Sequence, residues 1–169
     1  MIERAFLDFS IAKLHQYIER IESCAHRLSE DEVWSRGHAA ENSIGNLCLH
    51  LTGNVRQWIL ASVGGRADVR ERESEFTAAG GVARKELTAN LRDTVEAACR
   101  VISSLTPQRL EDKIAVQGYH MTVLEAVYHV VEHFAGHTGQ IIFATKALQG
   151  EDMGFYRHLA SRTHSESTP

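Results

Sequence analysis

The chain of 169 residues has two prolines, three cysteines, no long apolar run and no excess of basic residues, and each shortage excludes something. Two prolines leave most of the chain free of helix breakers. Cys24, Cys48 and Cys99 are odd in number and show no CxxC spacing, so they read as reduced thiols of a cytoplasmic protein, not as a disulfide frame. No stretch approaches the ~18 apolar residues of a membrane span. The start, MIERAFLDFS, carries acids and no sustained apolar segment, so no signal peptide is expected. A net charge of -4 and a pI near 6.2 argue against a nucleic-acid partner, because such proteins usually carry a basic face. There is no internal repeat and no low-complexity tract.

What is present is helical. The hydrophobic share of 43% suffices for a packed core, and Ala, Leu and Glu are abundant. Phe6, Phe9, Leu14, Tyr17, Ile18, Ile21 and Leu28 predict a first helix over about 3–28. Ser29 with Glu32 is a capping box opening a short turn through Trp34. SRGHAAEN reads as a loop with a solvated His38. Ser43 is a good N-cap for a second helix ending near Gly64-Gly65, with Leu47, His50, Leu51, Asn54 and Trp58 on its inward face. Cys48 points about 160° away from His50, so the two should not share a metal.

RADVRERESEFTAAGG is charged and ends in glycines, and reads as a mostly solvated connection with surface ion pairs. A third helix over about 82–105 turns Leu87, Leu91, Val95, Ala98 and Ile102 inward, and Thr106-Pro107 stops it. A connection follows, briefly extended at Lys113 to Val116. The fourth helix opens on the capping box Thr122/Glu125 and ends at Gly150. Its core flank is Leu124, Val127, Val131, Phe134, Ile141 and Leu148. Met153 to Leu159 is a short apolar piece that can lie over the bundle, and 160–169 should fray. The reading is an all-α, four-helix bundle in a single domain over 1–169.

The fourth helix carries a second stripe: Ala126, Val130, His133, His137, Gln140 and Ala144, within a sector of roughly 60°. His133 and His137 sit one turn apart on an otherwise apolar side, which is metal-ligand spacing. His129 extends the run to three, and chance gives roughly a few hundredths of such a run in a chain with ten histidines. Core or surface histidines that only hydrogen-bond are the alternative. Gly136 and Gly139 each cost roughly 1 kcal/mol in a helix interior, so close packing of another helix or a ligand beside the imidazoles should require them. His50 is a lone imidazole on a buried stripe, with candidate company on the fourth helix. Bundles build metal sites from side chains on facing helices.

HLTGN in the second helix and EHFAGHTGQ in the fourth resemble the DinB-like superfamily of bacterial metal-binding four-helix bundles. DVRERESEF resembles the arginine-rich signature of one subgroup, as do the third helix, TVLEAV and GFYRHL. The resemblance implies that His50, His133 and His137 bind a divalent metal, zinc or nickel. None of the three is replaced. Characterised relatives include S-transferases that use bacillithiol or mycothiol and a thiol-dependent isomerase; others have been described as hydrolases. Homodimers are common among them, so a homodimer and a low-molecular-weight thiol are the implied partners.

Three neutral imidazoles leave an ion at least one open position, the catalytic kind of zinc site. Such a position can lower the pKa of water toward about 7 or hold a thiol as thiolate. Gln140, Asn54 and Glu132 are candidates to orient the imidazoles, with His129 beside them as an orienting or core residue and not a fourth ligand. Glu132 lies about 100° round the helix from His133, which argues against a general base. Arg56, Arg70 and Arg72 read as surface ion pairs, although they could meet the carboxylates of an acidic thiol. Three functions stay open: a thiol S-transferase, a non-catalytic metal- or ligand-binding bundle of a stress response, and a metal-dependent hydrolase. A wide cavity with arginines at its mouth would favour the thiol; apolar enclosure would favour binding alone.

Overall fold

The computed structural model describes residues 1–161, 163, 165 and 168. Four long helical segments make the bundle: α1 (Ile2–His26), α3 (Ile44–Val55) continued by a π-helix over Arg56–Val63, α5 (Arg84–Ser103) and α7 (Val123–Gln149). Around the bundle α1 packs on α5 and α7, and α3 packs on the same two. His50 on α3 therefore faces the neighbour that carries His133 and His137. Three short helices fill the connections: α2 (Glu30–Trp34), α4 (Arg72–Thr77) and α6 (Pro107–Glu111). The segment read as extended at Lys113 is strand β1 (Lys113–Val116), paired antiparallel with β2 (Tyr119–Thr122). Gln117 and Gly118 form the hairpin turn with φ of 51° and 81°, as a tight two-residue connection demands.

The caps behave as the sequence requires. Ser29/Glu32 and Thr122/Glu125 are capping boxes, and Ser43/Asn46 is a third. Gly150 ends α7 in the left-handed region at φ 68°. Leu47, Leu51 and Trp58 of the second long segment, the five inward residues of α5, and Val127, Phe134 and Ile141 of α7 are buried. The three cysteines are buried and unpaired, and burial pushes the Cys48 and Cys99 thiols up to about 12.

Several expected core positions are not core. Phe9 is 50% exposed, and Leu124 and Leu148 are 40% and 42% exposed. The buried stripe of α7 runs through Val123, Ala126, Val127, Val130, Phe134, Thr138, Ile141 and Thr145. Leu124 lies about 80° round the helix from Phe134, outside that stripe, and Leu148 sits on the last turn. In the tail Met153 is buried and Phe155 packs on the core, whereas Tyr156 and Leu159 stay exposed. His38 is exposed as expected. The fraying expected at 162, 164, 166, 167 and 169 lies outside the described residues. Among those described, no helix is long and apolar enough to cross a membrane.

The segment read as a solvated connection is the main correction. It contains α4, and Glu75 within it is buried. Glu71 at the N-cap of α4 makes no side-chain cap. Its carbonyls are instead taken up from afar. Asn46 Nδ2 donates to Glu75 O and Ala78 O, both at 2.8 Å. Arg36 Nη2 donates to Phe76 O at 3.0 Å and Ala78 O at 2.8 Å. These side chains satisfy the orphan groups that every helix end leaves.

Candidate metal centre

The Nε2 atoms of His50 and His133 are 2.9 Å apart. Centroids of the three rings are separated by 4.9 Å (His50–His133), 5.0 Å (His50–His137) and 4.4 Å (His133–His137). One nitrogen from each ring falls within 4.8 Å of the other two. Two nitrogens each about 2.0–2.1 Å from a tetrahedral ion would lie roughly 3.4 Å apart, so small rotations of the rings bring this set to ligating geometry. His50 is buried, while His133 and His137 are half-buried at the edge of the bundle.

The far nitrogens are tied. Glu75 Oε2 lies 3.0 Å from His50 Nδ1 and accepts its proton, which leaves Nε2 as a lone-pair donor. Gln140 Oε1 does the same for His137 Nδ1 at 2.7 Å. Glu75 is itself held by a two-point pair with Arg70, Nε to Oε1 at 2.7 Å and Nη2 to Oε2 at 2.8 Å. The two side chains are 9% and 3% exposed. Burial pushes the Glu75 carboxyl up, but hydrogen bonds from Arg70 and His50 outweigh it and hold the group below its ordinary value. Arg70 Nη2 also lies 3.2 Å from His50 Nδ1; with that nitrogen donating to Glu75, the contact is close packing of two donors around one carboxylate.

Burial lowers the pKa values of His133, His137 and His129. His133 falls to about 3, through desolvation first and then the neighbouring His137 and His50. His137 and His129 are also lowered, chiefly by burial. His133 and His137 are thus neutral near pH 7, the form that ligates a metal.

The glycine of HLTGN has a specific reason. A Cβ on Gly53 would stand 1.9 Å from Glu75 Oε1 and 2.9 Å from Arg70 Nε. The carboxylate reaches His50 across the bare backbone of α3. Gly53→Ala should therefore displace the Arg70–Glu75 pair and cost about 1–3 kcal/mol, the usual range for overpacking. Urea unfolding checks this, with Gly136→Ala as the control, because a Cβ there meets nothing within 4 Å. Equal midpoints for the two variants would count against the role given to Gly53.

Not every expected neighbour has the expected contact. Asn54 is buried, hydrogen-bonds none of the three imidazoles, and its Oδ1 has no partner among the described residues. His129 stacks on Trp58 at 4.0 Å between centroids and lies 5.5 Å from His133, so it walls the site and does not tie a ring nitrogen. A Cβ on Gly136 or Gly139 would meet nothing within 4 Å among the described residues, so neither glycine is required by close packing of another described helix. Gly136 instead lines an open cleft of about 310 Å³ with His129, Glu132, His133, His137 and Gln140. A second cleft, about 330 Å³, reaches His50 and His133 from the side of Trp58, Arg72 and Met121. A third cavity, about 610 Å³, is lined by Arg70 and Glu75 among others and touches none of the three imidazoles.

Sequence reasoning placed Arg70 in a surface ion pair, and it missed Glu75 and Phe76, whose ring lies 4.7 Å from that of His50. Arg70 and Glu75 stand five apart, which is no helical pair, and their charges resemble a solvated run. The available signals were an unexplained glycine within a buried helix and a lone Phe among charges.

A crystal structure of a conserved protein from Enterococcus faecalis superposes with a TM-score of 0.71 at 14% identity, covering 85% of this chain and 97% of that one. A DinB-like protein (YjoA) from Bacillus subtilis superposes with a TM-score of 0.66 at 16% identity, covering 87% and 96%. At such identities the likeness speaks for the fold alone, and the fold is DinB-like. No functionally curated protein matches the chain. Residues 1–159 match the family described as "Protein of unknown function (DUF1572)", and with nearly its whole length inside that match the chain belongs to this family.

Proposed function

We propose that His50, His133 and His137 bind a divalent metal ion, and that the protein uses it to transfer a low-molecular-weight thiol to an electrophile. The observation that carries this reading is the pairing of three convergent ring nitrogens, two of them with their far nitrogens tied, with two clefts that reach them. Imidazole donors suit zinc or nickel. When bound, the ion supplies a Lewis acid that lowers the pKa of a thiol or of water. The chain's own contribution is positional. Arg70 and Glu75 fix the ring of His50, Gln140 fixes His137, and the clefts admit reactants from two sides. Arginines at one cleft favour the thiol over a closed binding site.

A hydrolase is the second reading, because Glu132 lines the same cleft as His133 and His137. A carboxylate there can take a proton from water.

The test begins with the metal content of untagged protein. Cobalt-substituted protein is then titrated with glutathione, bacillithiol and mycothiol. A new sulfur-to-metal band with one of them, absent in His137→Ala, is the expected result. No band with any thiol, together with ester hydrolysis that Glu132→Gln abolishes, would establish the hydrolase instead. Neither response would leave a binding bundle without turnover.

A further inference from the structure

We propose that the cleft between α3, α4 and the β1–β2 hairpin binds a small organic anion, with Arg72 as its counter-ion. This rests on the metal reading above and names the class of molecule that the same site receives.

The cleft is lined by two arginines and by no Asp or Glu. One of them, Arg70, is already neutralised by Glu75. Arg72 is different: among the described residues no carboxylate lies within ion-pair distance of it. Its guanidinium carbon stands 4.9 Å from the centroid of Phe76, and Phe76 in turn lies on His50. An aromatic face thus holds the cation at the cleft and leaves its hydrogen-bond donors unclaimed. The other two clefts lack this imbalance. The cleft at His137 contains Glu132, and the cavity of about 610 Å³ contains Asp68, Glu71 and Glu75.

The cleft also has an apolar wall, and two of its lining residues carry a buried polar atom behind that surface. Met121, Tyr119 and Trp58 supply surface for a ligand's body. Among the described residues Trp58 Nε1 and Asn54 Oδ1 are buried without a partner, one a donor and the other an acceptor. Unpaired buried polar atoms are rare because each costs roughly 1–3 kcal/mol. The volume, about 330 Å³, is at the small end for ligand sites, so the occupant is a metabolite-sized acid. A guanidinium fork matches carboxylate and phosphate equally well, and both are included in the test.

The experiment is calorimetric titration of the metal-loaded protein with hippurate, its neutral amide and phenyl phosphate. At least one anion should bind about tenfold or more tightly than the neutral amide, the scale of a charge-assisted hydrogen bond. Whichever anion binds better identifies the head group. Arg72→Ala should remove that advantage with metal content and circular dichroism unchanged, and Arg72→Lys should restore part of it. Equal binding of anion and amide, or an unchanged advantage in Arg72→Ala, overturns the proposal. The metal-free His133→Ala protein separates the two readings. If anion binding vanishes there but survives Arg72→Ala, the anion is only a metal ligand and the proposal fails. If no metal binds to the wild type, yet Arg72-dependent anion binding persists, the metal reading fails and the cleft stands.

Discussion

His50→Ala, His133→Ala and His137→Ala should each leave the protein without stoichiometric metal, while His38→Ala stays loaded. Three donors on two helices are the whole of the proposed first coordination sphere, so removing one leaves two neutral nitrogens and solvent. The loss should exceed the roughly 10–100-fold cost of deleting a group that merely orients a ligand. His38 pairs with Glu41 on the surface and lies in another loop, which makes it a fair control. Metal analysis after dialysis decides the matter. Full occupancy in His50→Ala, with loss in both α7 variants, would make the third ligand wrong.

His133 sets a pH dependence in the metal-free protein. Folded His133 takes a proton only near 3, whereas an unfolded histidine does so near 6.5. Between those values the unfolded chain binds more protons than the folded one, so stability is present above about 6.5 and is lost as pH falls toward 3. Urea midpoints at pH 7.5 and 4.5 should therefore differ more for the wild type than for His133→Gln. Identical pH slopes would contradict the burial assigned to this ring.

Glu75→Gln should destabilise the protein and weaken metal binding together. The substitution leaves the Arg70 guanidinium buried with no anion, a situation that typically costs about 3–5 kcal/mol. It also removes the charged acceptor from His50 Nδ1, so metal affinity should fall roughly 10–100-fold. A double variant separates the two effects. Replacing the pair with Arg70→Met and Glu75→Leu removes the unpaired charge and should recover much of the stability, since buried ion pairs are often matched by apolar residues of similar size. Metal affinity should stay low, because His50 still lacks its acceptor. Recovery of both would mean that Glu75 acts on stability alone.

The two charges at stake there were the least legible part of the chain. RERESEF looks like a solvated run because its composition matches one, and α4 has no capping signal of its own. What buries Glu75 is Asn46, Arg36, Gly53 and Arg70, contributed by other parts of the chain. Gln140, by contrast, was legible beside His137, since residues three apart on a helix are neighbours. Asn54 satisfied the same helical arithmetic and still makes no contact with an imidazole; spacing places a side chain on a face and does not choose its partner.

The sequence by itself determined the four long helices, their caps, most of their buried faces and the shared orientation of His133 and His137. All of these follow from contacts within three or four residues along one helix, so a periodic pattern records them. Only the tertiary structure decided that His50 meets the α7 pair, that Arg70 and Glu75 form a buried pair behind it, and that Arg72 is left without an acid at the cleft. Those outcomes depend on which distant element excludes water from a charge, and the strength of an ion pair is set by that exclusion and not by the residues' own identities.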